Sequence, residues 1–86
     1  MLIINDKVTY RKVEDSILVI TPWDNAMHTV EDVGLYIFES LIDEKSKDLM
    51  LKEIVDSYEI EENIAEKDLN EFIGSLIEKE IFIEGV

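Results

Sequence analysis

From Lys7 to Val13 (KVTYRKV) apolar and polar positions alternate loosely among β-forming residues, as in a half-buried strand. Glu14–Ser16 supplies turn chemistry, and Ile17–Thr21 (ILVIT) is an unbroken apolar run of strand length. The two runs predict a β-hairpin. Pro22 has no amide hydrogen to donate and should end the second strand. Trp23–Asn25 then predicts a second turn, with Trp23 as a plug over the sheet, and Ala26–Val30 (AMHTV) a short third strand.

From Thr29 the period changes from two to 3.6. Thr29 can cap a helix with Asp32 three residues on, and Val30, Val33, Gly34, Ile37 and Leu41 share one face of it, to about Ile42. After the polar stretch DEKSKD, a second helix is expected from about Leu49 to Tyr58, capped by Ser46 or Asp48, burying Leu51, Ile54, Val55 and Tyr58. Asn63 and Glu66 form another capping pair, opening a third helix over Ala65–Lys79. Its core stripe is Ala65, Leu69, Phe72 and Leu76; Ile73 and Ile77 lie on one shoulder, with Asn70 and Gly74 further round. IFIEGV closes the chain as a strand or extended tail, and MLIIN reads as a short apolar run. The expected fold is α+β and winged-helix-like: an N-terminal three-stranded antiparallel sheet, then a three-helix bundle, in one domain over residues 1–86.

Charge narrows the function. Net charge is −13, yet residues 1–23 hold three basic and three acidic side chains, so the whole excess lies beyond them. Nucleic-acid binding requires Lys and Arg to neutralise phosphates, and an anionic membrane surface is disfavoured likewise. A winged-helix transcription regulator would need a basic recognition helix. The third helix instead sets Lys67 and Lys79 against Glu66, Asp68, Glu71 and Glu78. A generic protein-interaction adaptor stays open. No run approaches the ~18 apolar residues of a membrane span, and MLIIN lacks the flanks of a signal peptide. With no cysteine, a cytoplasmic protein is expected.

Catalytic chemistry finds little support. His28 is the single histidine, a surface or capping residue at a strand-to-helix junction with no partner for a metal. Nucleophile elbows, phosphate loops and zinc signatures would need residues the chain lacks. No enzyme activity, cofactor or metal is expected.

Order and spacing of these segments resemble the PqqD-like family of peptide-recognition domains. VEDVGLYIFESLID (30–43) resembles the family's LNxTGxxIWxLLD, with Gly34, Ile37, Phe38 and Leu41 at the glycine, isoleucine, tryptophan and leucine. LKEIVDSYEI (51–60) resembles VxEIVxxLxxxYxV, DLNEFIGSLIEKEIFIE (68–84) resembles DVxxFLxxLxxxGLI, and YRKVEDSILVI resembles the opening hairpin. Glu31 stands for the usual asparagine, Val33 for threonine and Glu80 for glycine, and the loop between the first two helices is longer.

The resemblance implies a domain without catalytic residues that binds the leader of a ribosomally made precursor peptide. It also implies a partner modifying enzyme, in many systems a radical SAM maturase. The leader would add as a strand beside the third strand and pack against the third helix. A short strand leaves N–H and C=O groups that an extended peptide can satisfy, while specificity needs side-chain pockets. The candidate peptide-binding residues are therefore Ala26, Met27, His28, Thr29 and Val30 with Asn70, Ile73, Gly74 and Ile77. The alternative is that Ile73 and Ile77 merely pack on the sheet. Either a monomer or a homodimer is compatible with the sequence.

Overall fold

The computed structural model describes residues 1–85. Its elements are β1 (Leu2–Ile4), β2 (Thr9–Val13), β3 (Ser16–Thr21), β4 (Ala26–Glu31), α1 (Asp32–Ile42), α2 (Lys47–Tyr58), α3 (Glu62–Glu78) and β5 (Phe82–Glu84). The architecture is mixed α+β, with a three-stranded antiparallel sheet ordered β2-β3-β4 and three helices. Outside that sheet lies an element the sequence reading missed. MLIIN contains β1, which pairs antiparallel with β5 in a sheet of its own, Leu2 opposite Glu84 and Ile4 opposite Phe82. Three residues whose partners lie some eighty positions away leave no local signal, because only the folded helices bring the two segments together. IFIEGV is thus a strand over residues 82–84, and Val86 lies outside the described residues.

The hairpins follow their loops. Val13 and Ser16 face one another across Glu14–Asp15, and Glu14 takes a left-handed φ of 56°, the backbone twist that a two-residue hairpin demands. Ile17, Val19 and Thr21 of β3 point inward and are buried. Their cross-strand partners are Val30, His28 and Ala26 on β4. On the same inner face Tyr10 of β2 lies 5.5 Å from the ring of Phe38, which meets Phe82 edge-on at 5.2 Å. Both phenylalanines are fully buried. This aromatic file ties the large sheet, α1 and β5 into one core, and each ring pair contributes about 0.5–1.5 kcal/mol beyond area burial.

Helix starts differ from the expected caps. Thr29 stays in β4, which runs on to Glu31, and α1 begins at Asp32 after a backbone kink with φ 54°. The sheet ladder holds Thr29 extended, so it is not free to cap. Helix α3 starts at Glu62 rather than Ala65, with Glu61 at the cap; Asn63 Oδ1 accepts only from its neighbour Ile64 N–H. Ser46 does cap α2, accepting from Leu49 N–H at 3.1 Å. The buried set of α2 is Met50 and Ile54, with Leu51 and Val55 partly covered and Tyr58 exposed. Trp23 is not a plug: it is 44% exposed.

Candidate functional site

Strand β4 bonds β3 on one side only, so its other side is a free edge among the described residues. Ala26 N–H points back into the β3–β4 hairpin, donating to Asp24 Oδ1 at 3.1 Å. Backbone groups of an antiparallel strand alternate in direction. The N–H groups of Met27, Thr29 and Glu31 therefore point to the free edge. Their side chains lie on the outer face of the sheet, and those of Ala26, His28 and Val30 on the inner face.

A small polar network holds the start of this edge. The buried Thr21 hydroxyl donates to Asp24 Oδ1 at 2.5 Å and stands 3.3 Å from His28 Nε2. With its one hydrogen given to Asp24, the hydroxyl is left to accept from the His28 ring. Asp24 is held below its ordinary value, first by the Thr21 hydroxyl, which outweighs the opposing desolvation, and then by Ala26 N–H and the His28 ring. His28 thus contributes to the β3–β4 turn rather than to the start of α1.

The residues expected on α3 do not converge on β4 as a set. Asn70 and Ile73 line an open cavity of ≈ 360 Å³ whose other walls include Leu2, Leu41, Lys45 and Met50; β4 contributes nothing to it. Ile77 is 45% exposed, and a Cβ added at Gly74 would meet nothing within 4 Å. On α3 it is Phe72, expected in the core stripe but only half-buried, that packs on Gly34 of α1 beside Val30 at the end of β4. Gly34 reveals the contact. A Cβ there would lie 2.9 Å from Phe72 Cε1 and 3.4 Å from Val30 Cγ1, so α1 lets the ring approach the end of β4 only because residue 34 has no side chain. Phe72 and Ile73 project about 100° apart on the helix, one toward β4 and the other toward β1. Spacing places Phe72 in the core stripe and Ile73 on its shoulder but cannot say which neighbour each meets.

A second polar cluster clasps α1 to α2. Tyr36 Oη donates to Glu53 Oε1, Lys45 Nζ donates to the same oxygen at 3.0 Å, and Lys45 lies 5.1 Å over the Tyr36 ring. Burial and the Glu53 carboxylate raise the Tyr36 phenol. The phenol and Lys45 lower Glu53, and Glu53 in turn raises Lys45. Among the described residues no group of three His, Asp or Glu side chains is placed to hold a metal ion. Nor is any helix long and apolar enough to cross a membrane.

Two solved structures share the fold. One, described as TbiB1 in complex with the TbiA(beta) leader peptide, is 22% identical with a TM-score of 0.85, covering 96% of each chain. The other, lasso peptide synthetase B1 complexed with the leader peptide, is 17% identical with a TM-score of 0.87, covering 96% of this chain and 98% of that one. No curated protein matches. The family model of coenzyme PQQ synthesis protein D matches residues 13–81, four-fifths of the chain, and the protein belongs to the PqqD family.

Proposed function

We propose that this protein is a non-catalytic, cytoplasmic peptide-binding domain spanning residues 1–86. It captures the leader of a ribosomally synthesised precursor and presents it to a modifying enzyme, such as a radical SAM maturase. The free edge of β4, flanked by Phe72, carries this reading. The layout is read as winged-helix-like, with recognition moved from a basic helix to a strand edge. Family membership supports the reading, as do the leader peptides bound to the two proteins of the same fold. The net charge of −13 argues against DNA.

Within this mode, Ala26–Val30 supplies the backbone ladder and the α3 wall is Phe72. Asn70, Ile73, Gly74 and Ile77 take part only where a longer ligand continues past α3 toward the β1 side. Several edge hydrogen bonds at ~1 kcal/mol net each and one or two apolar anchors at about 1.5–3 kcal/mol outweigh the cost of ordering a leader. The expected affinity is near micromolar or tighter. The test is calorimetric titration with the short precursor peptide encoded beside this chain on its source DNA. Thr29→Pro removes an edge donor and Phe72→Ala the apolar wall, and each should weaken binding at least tenfold while circular dichroism stays unchanged. Parent-like affinity in both folded variants would exclude the β4 edge.

A further inference from the structure

The outer face of the large sheet carries an apolar strip that the fold leaves uncovered. Ladder register sets Thr9, Ile20 and Met27 in one row and Arg11, Leu18 and Thr29 in the next. Ile20 is 45% and Met27 66% exposed, Leu18 is half-buried, and Trp23 follows in the adjoining turn. Inward partners Ile17, Val19 and Val30 are buried under the helices, so no described element covers this face. The strip is continuous with the β4 edge, because Met27 belongs to both.

A strand added to β4 extends the pleat. Its residues alternate between the inner face, beside Val30 and Phe72, and the outer face, where a side chain opposite Met27 would stand about 4.5–5.5 Å away. A peptide that alternates apolar and polar residues would cover Phe72 and leave Met27 and Ile20 wet. The charge along β4 itself has one sign, the nearest cation in its outer-face rows being Arg11, two strands away on β2. Between Lys12 and Lys45 the chain has no lysine or arginine, while Asp24 precedes β4 and Glu31 and Asp32 close it.

We propose, building on the leader-capture reading, that the bound strand is read on both faces. Its ligand class is then an extended segment of at least three consecutive apolar residues flanked by Lys or Arg. The middle apolar side chain lies on Met27 and Ile20, and the neighbour that falls opposite His28 turns inward, diagonal to Val30 and toward Phe72.

The probe is a phage-displayed library of random peptides of about twelve residues, selected on the immobilised full chain. Parent-selected peptides should carry the apolar triplet with a basic flank. On Ile20→Ser/Met27→Ser, whose changes are confined to exposed side chains, those peptides should bind about tenfold more weakly, the loss of one well-covered anchor. Selected peptides that strictly alternate, or that bind the double variant unchanged, would overturn the two-faced reading. Thr29→Pro separates this from the underlying reading. Peptides lost on Thr29→Pro but kept on the double variant sink only the outer-face proposal. Peptides indifferent to Thr29→Pro, or a library yielding no binder, sink strand addition itself.

Discussion

The two sheets of this protein are built in opposite ways. Strands β2, β3 and β4 are joined by loops of two and four residues, Glu14–Asp15 and Pro22–Asn25. Strands β1 and β5 are three residues each and meet only after all three helices have turned the chain back on itself. Loop closure is cheap for the first sheet, whereas the second sheet meets a larger closure entropy that its own short ladder cannot offset. What holds the second sheet is burial and turn bonding. Phe82 and Ile81 are fully buried, and Asn5 donates its backbone N–H to Ile81 O and its side-chain amide to Glu80 O. One sheet is fixed by its sequence neighbours, the other by the core beneath it.

Removing that core contact is the largest expected break. Phe82→Ala deletes a fully buried ring that packs edge-on against Phe38 and should cost about 3–5 kcal/mol, read as the shift in a urea midpoint. For a domain this small, that is a large share of the whole stability. Amide exchange refines the test. In the parent, β1 and β5 should exchange before β3, since a short edge pair opens locally while the central strand opens only with the whole molecule. Exchange of β3 ahead of β1 would reverse the comparison.

The same contrast explains what could be read from the sequence. The hairpins, the three helices and the β4 edge were legible because each rests on spacing within a dozen residues. The strand in MLIIN was not, since its partner is remote. Thr29–Asp32 and Asn63–Glu66 have the spacing of capping pairs, but the β3–β4 ladder claims Thr29 and α3 already begins before Asn63. Fixing the candidate site needed tertiary placement. Phe72 could be assigned to a buried stripe, but only the close approach at Gly34 shows that it lies beside Val30 while Ile73 turns to the β1 side.

A smaller break falls on the other sheet. Thr21→Val keeps a buried volume but removes the hydroxyl that donates to Asp24 and stands by His28. The urea midpoint should fall by less than in Phe82→Ala, because one hydrogen bond from a buried hydroxyl is lost and no cavity is opened. Exchange at Ala26 should rise while β1 and β5 are unaffected.

The turn into β5 offers a change in the opposite direction. Glu80 holds φ 60° where the resembling motif has glycine, a left-handed conformation costly for any residue with a Cβ. Glu80→Gly should stabilise by about 0.5–1 kcal/mol after the larger entropy of the unfolded glycine is deducted. Thermal melting checks it. A lowered midpoint would show that the Glu80 side chain matters more than its backbone.

The smallest effect is a pH dependence confined to the β3–β4 turn. The folded state holds the Asp24 carboxyl below its ordinary value of 3.8, chiefly because the Thr21 hydroxyl donates to the carboxylate. A depressed folded pKa means that the unfolded chain takes up the proton first as pH falls. The contribution of Asp24 is therefore fully present above its ordinary value and is lost as pH drops through the lower folded one. Thr21→Val removes the largest cause of the shift. The stability difference between parent and Thr21→Val should thus be constant near neutrality and narrow below about pH 4. Urea midpoints of the two proteins, measured in parallel from pH 7 down to pH 3, would show it. A gap that stays constant to the acid end would mean that Thr21 stabilises the turn through the buried hydroxyl alone, without the charge on Asp24.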